Sequence, residues 1–127
     1  MTNSYLLVFA GGGIGSVLRF AVYRAARLWL PPEFPWGTLA VNVLGGALAG
    51  AAAGWLLSRS AGGADSTTLF LMTGLLGGFT TFSAFSLEAV LLWQRGEPAA
   101  AMAYVAGSVL LAIGGVIAGM GAIRLVL

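Results

Sequence analysis

Residues 73–88 read TGLLGGFTTFSAFSLE, and they lie inside an apolar stretch long enough to cross a membrane. Two adjacent glycines, Gly77 and Gly78, stand beside Thr80, Thr81, Ser83 and Ser86, with Phe79, Phe82 and Phe85 between them. Lipid offers no partner to a loose backbone N–H or C=O. A helix can therefore be weakened at membrane depth only where protein buries the spot or where it lines a watery cavity. A weak point furnished with hydroxyls and aromatic rings is a candidate site for an ion or a small solute.

If the helix breaks around Gly77 to Thr81, its first half ends in unpaired carbonyls that suit a cation. Its second half begins with free N–H groups that suit an anion. Broken helices near the bilayer midplane hold ions in transporters. An unbroken helix whose glycines only permit close packing is equally compatible with these residues. Phe82 and Phe85 are three apart and project from nearly one side. A phenyl ring has a positive edge, so a pair of rims can line a path for a small anion without holding it fast. Plain packing is the commoner role of aromatics at helical spacing.

Outward from this stretch, the whole chain is apolar. Of 127 residues 59% are hydrophobic and 8% charged, with a mean hydropathy of +0.96. A soluble domain carries roughly a quarter charged residues. The pattern predicts an all-α membrane protein, a single transmembrane domain over 1–127. A spanning helix needs about 20 mostly apolar residues, and four stretches meet this: about 4–30, 36–57, 67–93 and 99–125. The first ends at Pro31-Pro32, where a helix cannot easily continue. The links over 31–35, 58–66 and 94–98 leave no room for a soluble domain. The first span does not read as a signal peptide, because its start lacks a positive residue and its apolar run is too long.

The formal net charge of +2 comes from scattered arginines and does not indicate nucleic-acid binding. There is no cysteine and no histidine. That excludes disulfides, thiolate or imidazole metal sites and the commonest general base. Four spans put both termini on one side. Arg59 and Arg124 flank that side; Arg24, Arg27 and Arg95 flank the other. Orientation follows an excess of positive residues in cytoplasmic flanks, and two against three is almost none. The count favours insertion both ways round, which permits an antiparallel homodimer. Trp29, Trp36, Trp93, Trp55 and Tyr5 suit aromatic anchoring at the two interfaces.

Glycines recur every four residues: Gly11 with Gly15, Gly46 with Gly50 and Gly54, Gly74 with Gly78, Gly115 with Gly119. Small residues at this spacing let helix backbones approach closely in lipid. Arg19 extends the first stripe and Asn42 the second, so both should face other helices or a cavity. From Arg19 to the end of its span is about 16 Å of helix, a long reach for a snorkelling side chain. A water-filled vestibule attractive to anions is the favoured reading. Tyr104 and Ser108 also share a face. They are either an interfacial Tyr plus a Ser bonded to its own backbone, or a strip of hydroxyl donors along a pore. Glu88 lies near the end of the third span, and no partner for it can be named from sequence.

Taken together, Gly77-Gly78-Phe79-Thr80-Thr81-Phe82-Ser83-Ala84-Phe85-Ser86, Gly37-Thr38-Leu39-Ala40-Val41-Asn42 and Gly13-Ile14-Gly15-Ser16-Val17-Leu18-Arg19 make a specific pattern. The chain resembles the Fluc (CrcB) family of fluoride channels over essentially its whole length. The resemblance implies an antiparallel, dual-topology homodimer with two fluoride pores in a bacterial inner membrane, exporting fluoride passively and conferring fluoride resistance. It implies that Arg19 sits in the vestibule, that Asn42 and Thr38 belong to the pore, and that Phe82 and Phe85 turn ring edges to fluoride. Ser83, Glu88, Tyr104 and Ser108 would form a polar track beside the rings. Backbone carbonyls of Gly77 and Thr80 from both subunits would hold a structural sodium ion. Ala84 departs from the pattern: many members carry Thr there, so one hydroxyl is lost.

Two other classes compete. A proton-coupled small multidrug exporter of organic cations is also four-span and dual-topology, but it needs a membrane-buried carboxylate, and the first span has none. A membrane protein built only on glycine packing would be indifferent to Phe82→Ile. An enzyme is disfavoured, because the hydroxyls have no evident base to activate them.

Overall fold

A computed structural model describes residues 2–59 and 65–127. Four apolar stretches of helix are long enough to cross a membrane. The first is α1, Thr2–Trp29, and the second α2, Trp36–Ser58. The third, Ser66–Gln94, is assembled from pieces. A short α3, Ser66–Thr68, leads into a π-helical segment, Leu69–Leu76. A single turn of α4, Gly77–Phe79, follows, and α5, Phe82–Gln94, completes the span. The fourth is α6, Pro98–Val126. Part of the link expected over 58–66 lies outside the described residues.

Local chemistry fixes the helix ends. α1 stops just before Pro31-Pro32, as their missing N–H groups require. Asp65 caps α3 by accepting from the Thr68 N–H at 2.8 Å. Its bonds from Thr68, the hydroxyl ahead of the backbone N–H, hold the carboxyl below the usual range. At the end of α5, Gly96 takes φ of 78°, a left-handed conformation that glycine adopts without penalty. The Gly96 N–H reaches the Trp93 carbonyl at 3.0 Å and the Glu97 N–H reaches Leu92 at 3.1 Å. This is the Schellman closure. Pro98 then opens α6 in the first turn, where no N–H is needed.

The glycine stripes become contacts. α2 and α6 form one pair. A Cβ on Gly50 would collide with the Val116 carbonyl, and one on Gly119 with the Ala47 carbonyl. α1 packs along the first half of the third span, where the Gly78 backbone rests on Gly12. The fully buried interior is small: Tyr104, Leu92, Val41 and Thr38 are its largest members. Many large apolar side chains face outward instead, among them Phe9, Trp29, Leu110 and Ile117. Such a surface fits lipid or a second copy, not water.

The interruption of the third span is narrower than the one expected over Gly77 to Thr81. Both glycines are helical. Only Thr80 (φ −79°, ψ 160°) and Thr81 (φ −153°, ψ 122°) are extended. Gly78 serves close packing on α1, and the chain opens one step later, at two β-branched residues. The π-helical winding ahead of the break was not foreseen.

Candidate anion groove and its polar wall

The extended pair needs partners, and α2 supplies one. The Asn42 Nδ2 donates to the Thr81 carbonyl at 2.9 Å. The Thr81 N–H donates to Asn42 Oδ1, also at 2.9 Å. One side-chain amide thus replaces the helical partners that Thr81 has lost. Because the Thr81 N–H is turned to Asn42, it no longer serves the Gly77 carbonyl one turn back. The Thr80 N–H and hydroxyl both donate to the Leu76 carbonyl, at 3.0 and 2.9 Å. Thr81 also caps α5, its hydroxyl accepting from the Ala84 N–H at 3.2 Å.

Arg19 comes to the same break. Its Nη1 donates to the Thr80 carbonyl at 3.3 Å. The half-buried guanidinium is therefore spent partly on the backbone of the third span. The carbonyl it meets is one of the two that the family resemblance gives to sodium.

Beside the break lies a groove of about 350 Å³, lined by Asn42, Thr80, Phe82, Phe85, Ser108 and apolar residues of α2 and α6. The two rings stand 5.6 Å apart at 48°. They share a side, as their spacing predicts, but not a depth: Phe85 is 8% exposed and Phe82 79%. Ser108 is buried, and its Oγ has no hydrogen-bond partner among the described residues. Of its two sequence readings, the one with the hydroxyl bonded to its own backbone is not what the structure shows. A buried hydroxyl without a partner costs about 1–3 kcal/mol, and an anion or water in the groove would relieve it. No carboxylate lines this groove.

From Phe85 a carboxylate is reached through Tyr104. That ring packs on Phe85 with centroids 5.2 Å apart, and its hydroxyl donates to Glu88 Oε2 at 2.7 Å. The other oxygen, Oε1, lies 2.9 Å from the buried Thr38 Oγ1. Thr38 Oγ1 in turn lies 3.2 Å from the Tyr23 hydroxyl. These are the partners of Glu88 that sequence could not supply. Tyr23 was missed altogether, since a lone Tyr on an apolar helix carries no signal. Beyond this cluster a second cavity of about 290 Å³ opens between the first link and α5, lined in part by Tyr23, Arg27, Glu33, Thr38, Glu88 and Arg95.

The structure thus gathers Asn42, Thr80, Phe82, Phe85 and Ser108 around one groove, and Thr38, Glu88 and Tyr104 into an adjoining polar wall. Gly77 adds a carbonyl released at the break. Ser83 stands apart: it is exposed, 3.4 Å from the Thr81 hydroxyl, and does not line the groove. Among the described residues no group of three or more His, Cys, Asp or Glu could hold a metal, so a cation at the break would be held by backbone carbonyl or threonine hydroxyl oxygens.

Comparison with known proteins gives the chain's relatives. The family model described as CrcB-like protein, camphor resistance (CrcB), matches residues 6–120. The chain is 53% identical over 119 residues to the fluoride-specific ion channel FluC of Novosphingobium aromaticivorans, covering 92% of this chain and 93% of that one. It is 47% identical over 121 residues to the fluoride-specific ion channel FluC 2 of Nitrobacter hamburgensis, covering 95% and 97%. With the FluC channel of Rhizobium etli it shares 50% over 119 residues, 94% of each. These relatives are named as channels, not enzymes.

Proposed function

This chain belongs to the CrcB-like family, and on that premise we propose that it is a fluoride channel, giving passive export of fluoride across a bacterial inner membrane through two pores of an antiparallel, dual-topology homodimer. The observation that carries the reading is the groove itself. Among the described residues it is walled by apolar side chains and two phenyl rings, has no carboxylate in its lining, and presents a buried Ser108 hydroxyl without a partner and the Asn42 amide. A strongly hydrated small anion needs donors to replace its water, and positive ring edges add weak support along the way. Phe82, exposed at the groove's open side, supports a second copy closing it. A proton-driven drug exporter fits less well, because both oxygens of Glu88 are already engaged by hydroxyls.

Sodium suits the break in part. Gly77 offers a carbonyl whose helical donor has gone elsewhere, while the Thr80 carbonyl shares its lone pairs with Arg19. Two carbonyls from one chain are too few for a sodium shell, so the proposed site draws the same pair from the second copy. Bound there, sodium would neutralise converging carbonyl dipoles and tie the two breaks together.

The test is fluoride release from proteoliposomes, read with a fluoride electrode beside a chloride electrode. Rapid fluoride loss without a proton gradient, little chloride loss, and at least a tenfold slowing in Phe82→Ile are expected (about 1.4 kcal/mol per tenfold). Equal fluoride and chloride rates would refute the selectivity. Full replacement of sodium by N-methylglucamine should slow release; unchanged rates would remove sodium from the proposal.

A further inference from the structure

We infer that Tyr23 is a positioning residue of the ion route, holding Thr38 and, through it, the Glu88 carboxylate against the wall of the cavity between the first link and α5, which the proposal takes as the way in. The inference rests on the fluoride-channel reading above and adds a residue to it.

The argument begins with one proton. Thr38 Oγ1 is within hydrogen-bond distance of both Glu88 Oε1, at 2.9 Å, and the Tyr23 oxygen, at 3.2 Å. A threonine hydroxyl has one hydrogen to give. A carboxylate can only accept, and a hydrogen bond to a charged acceptor is the stronger one. The Thr38 proton therefore goes to Glu88, and the Tyr23 O–H donates to Thr38 Oγ1. The result is a directed chain, Tyr23 to Thr38 to Glu88 Oε1, matched by Tyr104 donating to Oε2 at 2.7 Å. Each member of such a chain polarises the next.

Packing fixes the outer end. The Tyr23 ring lies on Gly37, where a Cβ would come within 2.9 Å of its Cδ1. Gly37 immediately precedes Thr38, so the bare glycine seats the ring at the height that brings its hydroxyl to Thr38. Thr38 is 2% exposed, and the Tyr104 hydroxyl, the other O–H of the cluster, gives its hydrogen to Glu88 Oε2.

The consequence concerns entry. Tyr23, Thr38 and Glu88 all line the second cavity with Arg27, Glu33 and Arg95. Arg95 is held by the Glu33 carbonyl at 2.7 Å. A carboxylate docked on two hydroxyls spreads its charge into them. A carboxylate released into the cavity repels the anion that must pass. Removing the Tyr23 hydroxyl loosens the Thr38 end of that dock.

Tyr23→Phe keeps the ring on Gly37 and removes only the hydroxyl. Fluoride release from proteoliposomes is measured at low and high fluoride, for the wild-type chain, Tyr23→Phe, Thr38→Val and the double variant. Tyr23→Phe is expected to slow release about threefold to tenfold at low fluoride, with the difference closing at high fluoride. In the Thr38→Val background it should add no further slowing. The thermal midpoint of the detergent-solubilised Tyr23→Phe chain should stay at the wild-type value. Wild-type rates in Tyr23→Phe overturn the inference. So does slowing that persists undiminished at high fluoride, or slowing that comes with a lowered midpoint and is repeated in the Thr38→Val background. Failure of the wild-type chain to release fluoride overturns the channel reading instead.

Discussion

At Asn42 a single amide satisfies both backbone groups of Thr81. An Asp there could accept from the Thr81 N–H but could not donate to its carbonyl. It would also place a negative charge in a groove that otherwise has none. Asn42→Asp should therefore destabilise the fold by about 1–3 kcal/mol and slow fluoride release by far more than that loss alone explains. Release from proteoliposomes carrying variant protein of verified dimer elution checks this, and wild-type release would show that Asn42 does not line the route. Asn42 was legible in sequence because it continues the Gly46 stripe, which fixes its face. Its partner was not, because residues 39 apart in the chain meet only through the packing of α2 on the break. The same limit applies to Glu88. Its place near the end of a span was plain, yet its docking on Thr38 and Tyr104 depends on three helices at once. Ser108 is the reverse case. Sequence offered a self-satisfied Ser as a sound alternative, and only the surroundings show its Oγ without a partner.

The helices obey their small residues. The four-residue glycine spacing announced which faces would pack, and those faces do: Gly46 and Gly50 against α6, Gly115 and Gly119 against α2, Gly11 and Gly15 against the third span. Where the neighbour is backbone, the contact cannot yield. A Cβ at Gly50 meets the Val116 carbonyl, whereas one at Gly114 meets nothing within 4 Å. Alanine is favoured over glycine inside a helix by about 0.8–1.0 kcal/mol, so the two substitutions should separate. Gly50→Ala should lower the thermal midpoint of the purified protein by several degrees, and Gly114→Ala should leave it unchanged or raise it. Equal midpoints would show that α2 and α6 are not held at backbone contact. The break was legible as a region and not as a position. Composition marked Gly77 to Thr81, but the choice within it depends on Gly78 pressing on Gly12 and on Asn42 waiting opposite Thr81. The π-helical winding over Leu69–Leu76 had no mark at all, since that stretch is apolar apart from Thr73, with one glycine at stripe spacing.

For the molecule as a whole, the distribution of arginines becomes a matter of ends. Arg59 closes α2 and Arg124 lies in the last turn of α6. Arg27 and Arg95 line one cavity at the opposite end. Neither end dominates, which is the condition for a chain that inserts in both orientations. The dimer proposed here needs both, because an antiparallel pair requires one copy of each hand. Arginines added at the terminal end, as in Asn3→Arg with Ser58→Arg, should commit the chain to one orientation. Arginines added at the other end, as in Glu33→Arg with Gln94→Arg, should commit it to the reverse. Each biased chain expressed alone should fail to protect fluoride-sensitive cells, and the two expressed together should restore protection. Restoration requires that neither pair of substitutions harms folding, and detergent-solubilised complexes of the mixed pair would report that directly. Full protection by either biased chain on its own would mean that a single orientation suffices, and the antiparallel assembly would have to be given up.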